Sequence, residues 1–521
     1  MSSTLKQIIS NTLSGWGSVF IRSIIALLMV PFLLKQLGTN GYGLIGLLGV
    51  LLSFSQVADL GLRQALGREL AEHFARKDEK GFNELANTAL LLYCIIAILL
   101  AFICWTFSSL FVEFFKIPQE MRAVATLAIQ IYGCVSILLS FITPVFMAGL
   151  TSNHRFDLVN SIQIVGSILS SLVLFVALSL TNQALFTWIS IMLLYQLLIL
   201  IFGYFLYKKY CSYSKFGIQF INFSRLKSLF HLGGYMYILQ LTRALSERSD
   251  PLVISYFFGP SGVALYRPGG RISEMVRPVV LTMADQLYPL TTKQHIQGEK
   301  ESVKKILLIG TRYTMLLGVL VSVGMFTFAT PFCRLWLGKT LGNDYHIVAQ
   351  IMMGWSIADL TTYATGTQWS ILLGMKKMLF IVCTQLPTAI LNILISIYLV
   401  GFTNLGIPGV LIATITIGII RRPILMVYTA KQSGITAKKY FKESYLTPLI
   451  ILFILCITLF TVVTIFNPTT ITELFFLGIF TILFWFGLSF WIGLKKGERE
   501  TIKKYAIEIY SKTTNKLTKK T

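Results

Sequence analysis

About fourteen stretches of roughly 20 apolar residues follow one another along the chain, beginning near residues 12, 42, 85, 122, 156, 184, 230, 262, 306, 346, 378, 406, 445 and 471. A span of that length is what a hydrocarbon core about 30 Å thick demands. So many in sequence leave no segment for a soluble domain. Of the 521 residues, 55% are hydrophobic and 13% charged, values that belong to a polytopic membrane protein. The expected fold is an all-α polytopic membrane protein of about 14 transmembrane helices.

The net charge is +23. Nucleic-acid binding is a poor reading of it, because the basic residues sit in short loops between apolar spans. They follow the second, sixth, eighth, tenth and twelfth spans, for example Arg76, Lys77 and Lys80, or Lys438, Lys439 and Lys442. The loops near residues 181, 402 and 468 on the other side carry no Lys or Arg. By the positive-inside rule both termini are cytoplasmic. Lys6 precedes a full-length span, so no cleavable signal is expected. The seven cysteines are scattered without a CxxC, and the five histidines show no metal spacing. No metal or cofactor is expected.

Basic loops recur at an offset of roughly 220–225 residues. So do landmarks: Pro31, Gly38 and Gly41 match Pro251, Gly259 and Gly262, and Gly149 matches Gly374. An even number of spans per unit makes the repeat parallel, with a substrate site between the halves. The expected organisation is an N-terminal six-helix lobe (1–210), a cytoplasmic linker (211–227), a second six-helix lobe (228–432), two added helices (433–494) and a basic cytoplasmic tail (495–521). The added pair either braces the second lobe or flanks a lipid groove. In the tail, Ile502, Tyr505, Ala506 and Ile509 share a helical face, which suits an anionic leaflet or a plain solvated tail equally.

The stretch Pro31-Phe-Leu-Leu-Lys-Gln-Leu-Gly38-x-x-Gly41-Tyr-Gly43 with Asp59-Leu-Gly61-Leu, and the stretch from Asp250-Pro-Leu-Val to Gly259-Pro-Ser-Gly262-Val-Ala-Leu-Tyr266, resemble the two half-openings of polysaccharide exporters. These form a branch of the multidrug/oligosaccharidyl-lipid/polysaccharide (MOP) superfamily. The resemblance implies a V-shaped pair of lobes and export of lipid-linked oligosaccharide, as in Wzx-type O-antigen flippases. The cargo would be an undecaprenyl-pyrophosphate-linked glycan in the bacterial plasma membrane. Partners would include membrane lipid, a polysaccharide polymerase and a chain-length regulator. Arg267-Pro268-Gly269-Gly270 departs from the smoother family sequence and blurs the start of the eighth helix.

Charged residues inside spans are expensive and mark sites. Arg22 and Arg243 occupy related positions in the two repeats. Arg267, Arg271, Glu274 and Asp285 share a face of the eighth span, with Arg277 at its edge. Either this stripe faces a cavity or Arg271 and Glu274 neutralise each other. Arg22, Arg243, Arg267, Arg271 and Arg277 are the expected anion-binding set, since arginine suits bidentate phosphate binding. Asp59, Arg63, Glu247, Asp250, Glu274 and Asp359 are the gating or ion-coupling set. Asp59 and Arg63, four apart, form a gate pair or touch substrate. Asp359 has no basic neighbour in its own span, whereas Glu247, Asp250 and Glu274 each have an arginine close in sequence. It is therefore the carboxylate freest to exchange H⁺ or Na⁺, or else a hydrogen-bonded structural group. Pro31 and Pro251 are expected to kink their helices.

Gly41-Tyr-Gly43-Leu-Ile-Gly46 matches a dinucleotide fingerprint, but no strand precedes it, so close helix packing is the better reading. A drug/cation antiporter of the same superfamily would want an acidic cavity. A membrane polysaccharide polymerase or ligase would want a long extracytoplasmic loop. The basic spans and short loops favour a flippase over both, and a transporter over an enzyme.

Overall fold

The computed structural model describes residues 3–59, 61–225, 237–238, 240–242, 244–246 and 248–500. They are helical nearly throughout, with no strand among them. The helices are α1 (Ser3–Ser55), α2 (Leu62–Ala75), α3 (Glu79–Thr106), α4 (Ser108–Phe114), α5 (Gln119–Ala128), α6 (Cys134–Ser152), α7 (Phe156–Leu180) and α8 (Ala184–Tyr210). After them come α9 (Asp250–Asp285), α10 (Leu287–Ile296), α11 (Lys300–Leu341), α12 (Tyr345–Gly374), α13 (Met378–Phe402), α14 (Gly409–Gln432), α15 (Ala437–Ser444), α16 (Leu446–Phe466) and α17 (Ile471–Leu488).

Ten helical stretches among the described residues are long and apolar enough to cross a membrane. Two of them, Phe20–Asp59 and Lys300–Gly374, are too long for one crossing at 1.5 Å per residue and each hold two. The charged helix α9 is not among the ten. It runs unbroken through Arg267-Pro268-Gly269-Gly270, so that sequence does not delay the eighth helix.

The breaks in the long helices fall at glycine and not at proline. Gly38 has φ 68° and ψ 176° inside α1, and Gly259 has φ 67° and ψ −167° inside α9. That region of the backbone map is open almost only to glycine. Pro31 sits inside continuous helix, so the expectation that it sets a kink is corrected; Pro251 stands in the first turn of α9, just after a bend at Ser249. A proline removes one hydrogen bond, which a helix absorbs, whereas a positive φ turns the chain.

The repeat is visible in the same backbone terms. Lys77 and Gly298 end helices in the left-handed conformation, and so do His154 and Lys376. The closing hydrogen bonds correspond one to one. Lys77 N–H donates to Phe74 O and Asp78 N–H to His73 O; Gly298 N–H donates to His295 O and Glu299 N–H to Gln294 O. The pairs at His154/Arg155 and Lys376/Lys377 repeat this pattern onto Thr151/Leu150 and Leu373/Leu372. These are Schellman ends, and each stands in a basic loop.

Two compact units emerge: residues 1–271, 340–348 and 382–414, and residues 272–339, 349–381 and 415–521. In the first, α6 is the central element, packed against α2, α3 and α8, while α7 covers α1. Tyr93 and Phe141 meet edge to face at 5.9 Å between α3 and α6. A Cβ on Gly149 would lie 2.2 Å from the buried Tyr207 ring, which explains that glycine. In the second unit, Leu316, Val319 and Val323 of α11 pack against Ile451, Leu455 and Leu459 of α16. The Trp485 indole N–H of α17 donates to Leu316 O at 2.9 Å. The two added helices thus brace α11, and Phe475, Phe476, Leu483 and Phe486 of α17 are left exposed as a lipid would meet them. The tail residues 501–521 lie outside the described residues.

Candidate functional site

In the first unit, Gly43, Gly46 and Gly49 recur every third residue after the break in α1 and line one helix face. A Cβ on Gly43 would come within 1.8 Å of Pro260 O, so α1 and α9 touch backbone to backbone there. Gly46 and Gly49 make room for Arg267: a Cβ on either would lie 2.9–3.0 Å from its side chain. The Arg267 guanidinium donates to Gly46 O at 2.8 Å. The glycine pattern is therefore a helix seam with an arginine laid along it. Arg22 and Arg271 are half-buried in this unit. Arg243 and Glu247 lie outside the described residues.

Asp59 is buried. Its carboxylate accepts the Arg63 backbone N–H at 3.3 Å, at the first turn of α2, and the side chains come within 4.0 Å. The Arg63 guanidinium donates to Ser140 O at 3.3 Å and stays 41% exposed. It faces a cavity of about 550 Å³ within the unit, lined also by Gln56, Thr143, Gln163 and Gln196. Asp59 serves the helix end, while Arg63 is the one available to a ligand.

Asp250 behaves unlike the sequence expectation. Its carboxylate accepts the Tyr266 hydroxyl at 2.8 Å, and its other oxygen is buried with no hydrogen-bond partner. Both groups sit on α9, one on each side of the Gly259 break. No arginine is its partner among the described residues.

In the second unit the charges gather around Asp359 of α12, whose side chain is 0% exposed. Arg277 of α9 donates through Nε at 2.8 Å, and its Nη2 lies 2.7 Å from the same oxygen. The Ser273 hydroxyl, one turn earlier on α9, donates to the other oxygen at 2.5 Å. The Arg277 guanidinium also stands 5.1 Å from the centre of the Trp355 ring. Asp359 is thus held by a cation from another helix. The expectation that it is the carboxylate freest to titrate looked along its own span alone, whereas Arg277 reaches it from α9. Glu274 is exposed on α9. The charged stripe of the eighth span divides, with Arg267 on the Gly46 carbonyl and Arg277 on Asp359.

Two arginines escaped the sequence reading. Arg421 and Arg422 lie in the middle of α14, inside an otherwise apolar run. Arg422 Nη2 donates to Thr362 Oγ1 at 3.3 Å; its Nε and Nη1, and Arg421 Nε, are shut off from solvent with no hydrogen-bond partner. The charges of Arg277, Arg421 and Asp359 all act on Arg422. An adjacent arginine pair inside a span was the available signal. Gln368 of α12 donates to the Tyr445 hydroxyl at 2.6 Å and the Tyr440 hydroxyl at 3.2 Å. Tyr440 also meets Thr311 Oγ1 at 2.8 Å, tying α15 to α11 and α12. No cluster of His, Cys, Asp and Glu suited to a metal occurs among the described residues.

The helix bundle, with arginines inside long apolar helices and a duplicated backbone pattern, matches a known family. The family described as polysaccharide biosynthesis protein matches residues 33–342, more than half of the chain. The chain belongs to that family. It is 22% identical over 401 residues to an uncharacterized membrane protein, EpsK, of Bacillus subtilis (strain 168), covering 76% of this chain and 78% of that one. It is 23% identical over 355 residues to a Shigella flexneri protein whose name marks it as a candidate O-antigen transporter, covering 67% and 81%. The lipid II flippase MurJ in an inward closed conformation superposes with a TM-score of 0.68 at 17% identity, over 92% of this chain and 99% of that one. An inward-facing multidrug resistance MATE family transporter of the MOP superfamily superposes with 0.67 at 16% identity, over 79% and 94%. The chain therefore shares the fold of these two proteins.

Proposed function

We propose that the protein is a flippase that carries undecaprenyl-pyrophosphate-linked oligosaccharide repeat units across the bacterial plasma membrane by alternating access, for surface polysaccharide synthesis. The observation that carries the reading is the charge balance inside the second unit. Arg421 and Arg422 add two guanidiniums to the Arg277–Asp359 pair and bring no further carboxylate with them. Desolvated arginines with open donors are an anion site, and a pyrophosphate offers the oxygens they lack. Arg22, Arg243, Arg267 and Arg271 stay in the proposed anion-binding set on their place in the apolar spans alone. A cationic drug would be repelled by such a site, which disfavours the antiporter reading. The relatives named as transporters favour transport over polymerase or ligase chemistry.

In this reading the lobes are residues 1–210 and 228–432, both termini are cytoplasmic, and a polymerase and a chain-length regulator receive the product. Asp250 replaces Asp359 as the carboxylate best placed to exchange H⁺ or Na⁺, because its second oxygen is buried without a donor. The test is transport of the lipid-linked glycan in proteoliposomes. Arg422→Ala abolishes it and Arg422→Lys restores part of it, since charge returns without the guanidinium fork. Full transport by an Arg421→Ala, Arg422→Ala variant that inserts normally would sink the proposal.

A further inference from the structure

Away from the intramembrane arginines, a second basic site lies at the foot of the added helices. Arg312 of α11, Lys438, Lys439 and Lys442 of α15, and Lys495 line a pocket of about 570 Å³, closed on one side by Ile492 and Leu494. We propose that this pocket binds the phosphate of an anionic membrane lipid.

Its position supports a lipid. α15 hands over to the apolar span α16 at Leu446, and α17 runs out through Gly493, so two membrane helices end at the pocket. Trp491, Phe441 and Leu446 are exposed beside it, and an aromatic and aliphatic rim is how a protein meets the headgroup level.

Its charge supports a phosphate. Five cations line the pocket against one lining carboxylate, Glu443, which Lys495 engages at 2.9 Å and Lys439 approaches at 4.0 Å. Lys495 holds that carboxyl below its ordinary range, so it remains an anion and is already spent on a lysine. Glu498 pairs with Arg312. A positive surplus remains after both acids are counted.

One member is built in rather than merely solvated. The Arg312 side chain is only 4% exposed, and its Nε is buried without a hydrogen-bond partner. A buried guanidinium donor lining a pocket with exposed ammonium groups has the make-up of a phosphate cradle. A solvated basic face has no use for a buried guanidinium.

The test uses the purified full chain and native mass spectrometry, titrated with dioleoylphosphatidylglycerol or dioleoylphosphatidylcholine. The wild type is expected to retain one phosphatidylglycerol that phosphatidylcholine does not replace. Lys438 and Lys442 are exposed, so Lys438→Ala, Lys442→Ala leaves the fold intact. That variant is expected to bind the same lipid roughly 30-fold more weakly, from the contribution of two basic residues near a headgroup. Lys438→Arg, Lys442→Arg is expected to keep it. Equal retention of the two lipids by the wild type, or unchanged phosphatidylglycerol binding by the alanine variant, overturns the proposal. Displacement of phosphatidylglycerol by millimolar inorganic phosphate overturns the lipid assignment in favour of a free-phosphate site.

Discussion

Replacing Asp359 by asparagine tests whether the second unit is held by its buried charge pair. Asparagine keeps the volume and one acceptor for Ser273, but it cannot neutralise Arg277. The wild-type carboxylate is fully buried, receives contacts at 2.5, 2.7 and 2.8 Å, and also offsets Arg422. Breaking such a pair by removing one partner costs about 3–5 kcal/mol. Arg277 is 21% exposed and can recruit water, so the lower end, about 3 kcal/mol, is expected. With an unfolding entropy of about 2 cal/mol/K per residue, a cooperative melt of the whole chain falls by about 3 °C. Thermal unfolding of the detergent-purified protein measures this directly. Adding Arg277→Gln removes the stranded cation, so the double variant should melt above the sum of the single effects by about 1–3 kcal/mol of coupling. Strict additivity, or an Asp359→Asn protein as stable as wild type, would show that the pair does not hold α9 to α12.

Gly43→Ala should yield no folded protein on size-exclusion chromatography, because its Cβ would lie 1.8 Å from Pro260 O, whereas Gly67→Ala, with nothing within 4 Å, should be silent. Gly259→Ala should lose transport at normal expression, since its φ of 67° with ψ of −167° is a conformation alanine resists by about 1–3 kcal/mol. Tyr440→Phe should lower the melting temperature, because Gln368 and Thr311 both lose a buried partner at a cost of about 1–3 kcal/mol. The Asp78 carboxylate caps α3 through Gly81 N–H at 2.9 Å, with His73 at 2.8 Å, and these hold its pKa below the ordinary value. A depressed folded pKa gives stabilisation that is complete above the usual carboxylate range and disappears as pH falls through the lowered value. Protection of the Gly81 amide against hydrogen exchange should therefore be pH-independent near neutrality and fall only in acid; loss of protection at neutral pH would refute the Asp78 cap.

Much of this architecture was written in the chain. Span length follows from bilayer thickness, so apolar runs alone gave the helices. The duplicated loops were legible because a left-handed helix end constrains the backbone locally, and Gly38/Gly259 and His154/Lys376 keep their spacing. The presence of arginine inside apolar spans was also legible, although the adjacent pair Arg421 and Arg422 was passed over. What one dimension could not hold was pairing. Asp359 looked alone because its cation comes from Arg277, 82 residues away on another helix. Asp250 looked attended because arginines stand near it in sequence, yet its partner is Tyr266, 16 residues on and beyond a helix break. In a bilayer a charge is governed by whichever group reaches it across a low-dielectric gap of about 3 Å, because Coulomb energy there falls with distance through space and is blind to position along the chain. The sequence determined which charges enter the membrane; only helix packing decided which of them are neutralised and which stay open to a ligand.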